Sequence, residues 1–539
     1  MKYVNKKYIS IIFYFVLLVL LVFTISEKKN YHVDETLTFS LANHVGYRGV
    51  IFEEGQIYDA SEVFSNLFAV NDGERFNFRN VWDNQANNVH PPLYYALINM
   101  VFSIFPGRYT RWFPGIINIA FSLLTLFALR KLVAFLSEDN DKITNLISVV
   151  FCLSAGTLSM ATFFRMYVMA MFFVTMFSYV FFKGIADDFK LSNIVSVFIT
   201  ALLGVLTHYY VAVFMVFLCI CGGIYLIIAK KWKSLLIAVI TMLSAAGLSI
   251  LIFPSMLTHM FTSSNTGSRS VTNLLGSFGE WGDRIKIFFS IFDNFWFGGI
   301  LFLWIMFFVL MGITKKFALK EKFIPEETGE EKWQKQSYFI MLCIAIICYF
   351  LIISKIALAL VDRYLAPIYA VGLAVLILGL WKSIRFISDY RLKAVILMMI
   401  SSIIIFTGWK TNGWEYLYND EEEMLDIARQ ETSGKDCVYI CDSDQGSWKI
   451  NANWTDLSNV STISFVSVDH MDKMDELNIN DKYDLVLYVM DDDSERIADE
   501  VKGRYGYATC RYLYSRGYAD AYTLSRYEED ERDYFTKNE

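Results

Sequence analysis

Residues 209–229 read YYVAVFMVFLCICGGIYLIIA, an apolar run with no charge in it. A helix rises 1.5 Å per residue, so about 20 such residues cross the hydrocarbon core of a bilayer, and this stretch is read as a transmembrane span. The pattern repeats on both sides. Ten more runs qualify: 8–25, 111–129, 143–161, 168–184, 190–207, 234–256, 287–313, 337–354, 364–381 and 392–409. Segment 93–105 is apolar but too short, and is read as a partial or re-entrant element. Composition agrees with this count. Of 539 residues, 55% are hydrophobic, 17% aromatic and 19% charged, with mean hydropathy +0.38. That leaves too little polar surface to cover a core in water, which excludes a soluble enzyme, a nucleic-acid binder and a disordered scaffold. Charge is split unevenly: residues 415–539 hold 30 acidic and 13 basic side chains, net −17, so residues 1–414 carry +10. The chain is predicted to be an α-helical polytopic membrane protein with a small acidic α/β domain at its C-terminal end. The domains are placed at 1–410 and 411–539.

Sidedness follows from the excess of Lys and Arg in cytoplasmic loops. Lys2, Lys6 and Lys7 precede the first span. Later clusters are Arg130/Lys131/Lys142, Lys230/Lys231/Lys233, Lys315/Lys316/Lys320/Lys322 and Lys382/Arg385/Arg391/Lys393. All fall inside if the N-terminus is cytoplasmic and eleven segments cross. Loops 26–92, 162–167, 257–286 and 355–363, and everything after residue 409, then lie outside a plasma membrane. A crossing by 93–105 would invert the later loops, and a thirteenth crossing would restore parity. The first span lacks a small-residue cleavage pattern and is longer than a signal-peptide core, so it is read as an uncleaved anchor. All six histidines fall on the outer side.

Beyond residue 415 helical stretches (420–431, 493–503) alternate with β-rich runs at 437–440, 462–468, 483–490 and 522–525, as in a small α/β layer domain. Asp491, Asp492 and Asp493 follow a strand and open a helix, which capping and the helix dipole explain without a metal. No glycine-rich nucleotide fingerprint appears. Five of the eight cysteines sit in apolar helices; Cys437, Cys441 and Cys510 lie in the tail, where pairing cannot be deduced. The domain is read as accessory, for acceptor binding or oligomer contacts.

Function is sought where ionisable groups stand at the ends of apolar helices, because keeping them there costs free energy. Five constellations qualify, all on the outer side. Tyr31-His32-Val33-Asp34-Glu35 follows the first span; adjacent carboxylates can supply a general base and a partner, or simply begin a solvated helix. His90-Pro91-Pro92-Leu93-Tyr94-Tyr95 closes the same loop, its prolines fixing an extended entry and His90 offering a phosphate or metal contact. Arg165-Met166-Tyr167 sits between apolar runs with no acid nearby in sequence; it either wants an anion or anchors the interface by snorkelling. Thr207-His208-Tyr209-Tyr210 forms a tight outer turn. Lys355, then Asp362-Arg363-Tyr364, leads into span 364–381, where an Asp–Arg pair could be purely structural. Together they describe an electropositive pocket facing a carboxylate pair, with apolar helices around it, suited to a lipid-linked phosphate.

This ordered set resembles the polyprenyl-phosphate-sugar-dependent GT-C glycosyltransferases, in the branch of protein O-mannosyltransferases and lipid A aminoarabinose transferases (glycosyltransferase family 39-like). The Arg-Met-Tyr, Thr-His-Tyr-Tyr and Asp-Arg-Tyr-Leu-Ala-Pro segments are similar to bacterial members, and the likeness covers about 1–410. It implies a GT-C-like fold of about 11–13 transmembrane helices, with the first outer loop 26–92 carrying the catalytic motif. It also implies Asp34 as catalytic base, with Glu35 beside it, and Arg165 and Arg363 near the lipid phosphate. His90, Tyr167, His208, Tyr209, Lys355 and Tyr364 complete the expected donor site. Two departures stand out. Phe163 and Phe164 occupy the place of an acidic residue often found before Arg-Met-Tyr, and the large luminal sugar-binding insertion of eukaryotic mannosyltransferases is missing.

The chemistry fits this inventory. Polyprenyl phosphate leaves as a monoester of second pKa about 6, so no general acid is needed. The enzyme must supply a base for the acceptor hydroxyl and positive charge for the phosphate, and attack from the opposite face inverts the anomeric centre. Partners are then a polyprenyl-phosphate sugar, an extracytoplasmic acceptor (cell-envelope glycan, lipid or protein) and the bilayer, with no nucleic acid. Glu35 and His90 together could hold a divalent cation; no other cofactor is indicated. The rivals are a flippase of lipid-linked sugars, which would carry ionisable groups at the midplane, and a non-catalytic receptor with an acidic outer domain.

Overall fold

The computed structural model describes residues 2–46, 53–261, 266–306, 330–384, 387, 389–442, 449–478 and 483–527. The backbone separates into two compact units. The first comprises Met1–Glu27, Gln85–Tyr94 and Pro114–Glu415; the second comprises Lys28–Asn84, Tyr95–Phe113 and Tyr416–Glu539.

The first unit holds the membrane helices. Among the described residues eight are long and apolar enough to cross: Tyr8–Ser26, Trp112–Leu136, Tyr167–Ala186, Tyr209–Ile228, Trp232–Ile252, Gln334–Ile356, Asp362–Ser383 and Tyr390–Thr411. A polytopic helical fold therefore stands, and three of the eleven runs differ in detail. Run 143–161 is a pair of helices, Asp141–Leu153 and Ala155–Ala161, bent by 50°. The break is chemical: Ser154 takes an extended conformation and its hydroxyl caps the second helix through Thr157 N–H. Run 190–207 is the 15-residue helix Leu191–Val205, only about 22 Å long against a core of about 30 Å. Run 287–313 lies partly outside the described residues, as do Arg385 and the Lys315/Lys316/Lys320/Lys322 cluster. Helices in lipid approach closely where side chains are small. A Cβ on Gly204 would stand 2.8 Å from Met215 and 3.2 Å from Phe173, and one on Gly222 2.6 Å from Phe181.

The second unit is built on a six-stranded sheet of order β1-β3-β2-β4-β6-β5. The strands are β1 (Ile57–Asp59), β2 (Asp436–Cys441), β3 (Thr462–Ser467), β4 (Asp484–Met490), β5 (Thr509–Arg516) and β6 (Ala519–Ser525). β3, β2 and β4 run parallel, with β1, β6 and β5 antiparallel to their neighbours. Val438, Ile440, Val466, Leu487, Val489 and Ile497 form its core. Helices Glu422–Thr432 and Ser494–Tyr505 match the expected stretches. Asp493 bonds Arg496 at 2.9 Å and accompanies the start of the second helix. All eight cysteines are free thiols.

One strand comes from far away in sequence. β1 belongs to the first outer loop, and Ile57 pairs with Ser464. Residues 28–84 and 95–113 thus share a compact unit with 416–539.

Candidate active site

In the first unit four separate segments bring their polar side chains together. Arg165 lies in the turn between helices Ala155–Ala161 and Tyr167–Ala186. That turn is fixed by Asn118, whose amide donates to Ala161 O (3.0 Å) and Phe163 O (2.8 Å) and accepts from Tyr94 OH (3.2 Å). His90 follows helix Phe78–Ala86, and the buried Pro91-Pro92 pair delivers the chain to Leu93, whose N–H donates to Leu206 O at 3.1 Å. His208 is the N-cap of helix Tyr209–Ile228. Arg363 and Tyr364 occupy the 3₁₀ turn Asp362–Leu365, from which helix Ala366–Ser383 continues through Pro367.

The contacts are specific. Arg165 Nη2 donates to His90 Nε2 at 3.0 Å, and Arg165 is 4% exposed. The His90 and His208 rings are 5.8 Å apart, and Tyr167 is 5.4 Å from His208 and 6.3 Å from Tyr364. Tyr210 meets Tyr364 edge-on at 5.3 Å, and Tyr349 OH donates to Tyr364 O at 2.7 Å. The Arg363 guanidinium stands 5.4 Å from the Phe163 ring, where cation–π attraction offsets part of its desolvation. Phe163, one of the two aromatic residues noted before Arg-Met-Tyr, thus lies against an arginine.

Hydrogen bonding sets the protonation of both imidazoles. His90 accepts at Nε2 and so carries its proton on Nδ1. Desolvation, followed by the Arg165, His208, His259 and Arg363 neighbours, holds His90 well below the usual histidine range. His208 accepts Tyr210 N–H at Nδ1 (3.0 Å), which leaves the proton on Nε2. That Nε2 is buried and has no hydrogen-bond partner among the described residues. Burial, then Arg165, brings His208 down to about 3. At neutral pH the cluster therefore offers two guanidinium cations and two neutral N–H donors. It suits an anion with several acceptor oxygens.

A stability test follows. His208 folds neutral, while the unfolded ring titrates near 6.5, so the unfolded state binds the extra proton and stability falls as pH drops below about 6.5. The expected slope is about 1.4 kcal/mol per pH unit from this group. His208→Asn keeps an N-cap side chain and removes the titration. Its melting temperature in detergent is expected to fall less steeply between pH 6.5 and 5 than that of wild type; parallel curves would refute the assignment.

Two expected members stand apart. Tyr209 OH donates to His259 Nδ1 at 2.7 Å, and His259 Nε2 donates to Ala86 O at 3.1 Å. Tyr209 thereby positions the loop that precedes His90. Lys355 donates to Gly276 O and Ser277 O and lies 4.4 Å from the Phe278 ring, clamping that segment. His259, Asn118 and Tyr349 were not singled out from the sequence, since they lie in or beside apolar runs.

Asp34 and Glu35 belong to the second unit, in the first turn of helix Val33–Asn43. Glu35 has no exposed surface. Its Oε2 accepts from Lys28 Nζ (3.0 Å) and from His32 N–H (2.7 Å), closing a capping box. Lys28, equally buried, also donates to Tyr416 O at 2.8 Å, and burial lowers its pKa against the pull of Glu35. Both contacts tie Glu35 to the start of its helix. Asp34 is different: its carboxylate is 27% exposed and 3.7 Å from His32 Nδ1, in the first turn of the helix.

The divalent-cation expectation does not fit these donors. The Lys28 ammonium stands on Glu35 Oε2 and the Arg165 guanidinium on His90 Nε2. Among the described residues no three His, Cys, Asp or Glu side chains group so as to hold a metal.

No protein-family profile matches the chain, and no curated protein matches it in sequence. Solved structures do resemble it. ArnT from Cupriavidus metallidurans bound to undecaprenyl phosphate is 10% identical, covering 95% of this chain and 97% of that one, with TM-score 0.51. The same protein in the apo state gives 10% identity, the same coverage and TM-score 0.47. The archaeal oligosaccharyltransferase AglB from Archaeoglobus fulgidus is 9% identical over 95% of this chain and 74% of that one, with TM-score 0.39. The likeness to the ArnT structure with bound undecaprenyl phosphate is one of fold, a polytopic helical membrane part with a sheet domain towards the C-terminus.

Proposed function

We propose that this chain is a membrane glycosyltransferase that moves a sugar from a polyprenyl-phosphate donor to a hydroxyl acceptor on the outer face of the plasma membrane. The observation that carries the reading is the convergence of Arg165, Arg363, His90 and His208 from four segments. Shared fold with a protein that binds undecaprenyl phosphate supports the ligand class. In this reading the N-terminus is cytoplasmic and the sheet domain extracytoplasmic, which the distribution of Lys and Arg supports.

The reaction is inverting. Asp34 takes the proton of the acceptor hydroxyl as its oxygen bonds to the anomeric carbon. The bond from that carbon to the phosphate oxygen breaks on the opposite face, and its electron pair leaves with the phosphate. Arg165 and Arg363 neutralise the charge that develops there. The neutral imidazoles add N–H donors.

Arg363 tests the clamp. A charge-assisted hydrogen bond is worth about 1.5–3 kcal/mol, so Arg363→Ala and Arg165→Ala are each expected to weaken undecaprenyl phosphate binding about tenfold or more. Arg363→Lys keeps the charge without the two-pronged geometry and should fall between. Titration of the purified protein in detergent reads this directly. Unchanged affinity in both alanine variants would reject the polyprenyl-phosphate reading, and full function in the Lys variant would reduce Arg363 to a helix anchor.

A further inference from the structure

The tip of one hairpin in the sheet domain is fastened to the segment that carries Asp34. β5 and β6 are joined by Gly517-Tyr518, and Gly517 has φ +66°. A Cβ there would stand 3.0 Å from Ala452 and 3.3 Å from Asn453, so the tip is seated on the turn Ile450–Asn453. That turn in turn packs on helix Val33–Asn43.

A buried ionic network holds the arrangement. Arg516, 3% exposed at its side chain, donates from Nε to Asp456 Oδ2 at 2.9 Å, with Nη2 in ion-pair contact with the same oxygen at 2.7 Å, and donates from Nη1 to Glu421 Oε2 at 3.3 Å. Its carbonyl accepts from Asn453 Nδ2 at 2.9 Å. Glu421 also accepts from Asn30 Nδ2 at 2.6 Å, and Asn30 Oδ1 accepts from Thr455 at 2.7 Å. Four residues after Asn30 comes Asp34. The network thus runs without a gap from the hairpin tip to the chain entering the catalytic helix. Desolvation raises the Tyr518 phenol, and the Asp34 charge adds to the effect, so the two side chains lie within electrostatic reach. Yet Tyr518 itself is 43% exposed, with the Lys449 ammonium 5.5 Å from its ring. A costly buried network that holds a half-exposed aromatic ring at a hairpin tip fastened to the segment leading into Asp34 does little for the core.

We infer that Tyr518 is the floor of an acceptor subsite, on which a carbohydrate ring lies so that one of its hydroxyls reaches Asp34. This rests on the transferase reading and names its acceptor class. A phenol ring offers a negative face to the polarised C–H edge of a sugar, and its rigidity keeps the entropy cost of binding low. Lys449 can donate to ring substituents. In this assignment the sheet domain supplies one wall of the acceptor site, and the buried pair Arg516–Asp456 keeps that wall in register with the base.

The test uses the full-length protein in detergent with a panel of undecaprenyl-phosphate sugars as donors and methyl glycosides as acceptor probes. Cleavage of donor by water is followed in parallel. Tyr518→Ala is expected to raise KM for the methyl glycoside about three- to tenfold while donor cleavage by water stays unchanged, and Tyr518→Phe to stay near wild type. An unchanged KM in Tyr518→Ala overturns the proposal. So does an equal fall in water cleavage, which would make Tyr518 part of the fold or of the base. Transfer to a blocked serine peptide in preference to every glycoside, insensitive to Tyr518, overturns the carbohydrate assignment. Failure of wild type to turn over any donor rejects the transferase reading itself, a distinct result that removes the subsite with it.

Discussion

Asp34→Asn is expected to lower sugar transfer by about 10²–10⁴-fold while leaving melting temperature and undecaprenyl phosphate affinity near wild type. The substitution keeps the shape of the side chain and removes only its basicity. Two observations favour this carboxylate over its neighbour: Asp34 is 27% exposed whereas Glu35 is fully buried, and Glu35 is engaged by Lys28. Donor consumption and product formation by the folded, purified variant decide the matter. Near-normal turnover would remove Asp34 from the mechanism.

How far the sequence foretold this arrangement depends on the distance over which each feature is encoded. Apolar runs are local, and they located the eight long helices. Polar residues at the ends of those runs are also local signals. His90, Arg165, His208 and Arg363 could be picked out because each interrupts an apolar context. Where a partner is distant, the signal fades. Nothing near Lys355 in sequence shows that its ammonium caps Gly276 and Ser277 rather than facing a phosphate. β1 is three residues long and exists only because Thr462–Ser464 lies beside it, about 400 positions later. β5, TCRYLYSR, alternates charged and aromatic residues too weakly to be told from a loop, and only its pairing with β6 makes it a strand. The bend at Ser154 is written in one hydroxyl inside an apolar run, which hydropathy averages away.

Glu35 shows the same limit from the other side, because two adjacent acids of equal sequence appeal have opposite surroundings. Lys28 and Glu35 each have a side chain with no exposed surface and face each other at 3.0 Å. Taking either charge out of water is expensive, so the pair is tolerable only while both members are present. Lys28→Met strands a buried carboxylate and is expected to destabilise the second unit by about 3–5 kcal/mol. Glu35→Gln strands the ammonium and should cost a comparable amount, although Gln retains the capping-box bond to His32 N–H. The double variant Lys28→Met/Glu35→Gln removes both charges at once and should recover most of the loss, because a neutral pair of similar volume carries no ionic desolvation penalty. The distances constrain this outcome, since Lys28 also donates to Tyr416 O at 2.8 Å and the methionine leaves that carbonyl without its ammonium. Recovery should therefore stop about 1 kcal/mol short of wild type. Limited proteolysis of the sheet domain under rising denaturant measures the series, and transfer activity measured on the folded fraction separates scaffold from chemistry. Were Glu35 a partner in catalysis, Glu35→Gln would lose turnover at unchanged stability and the double variant would not regain it. A scaffold pair gives the reverse: activity per folded molecule is restored with the stability, because the helix that presents Asp34 is again held at its first turn.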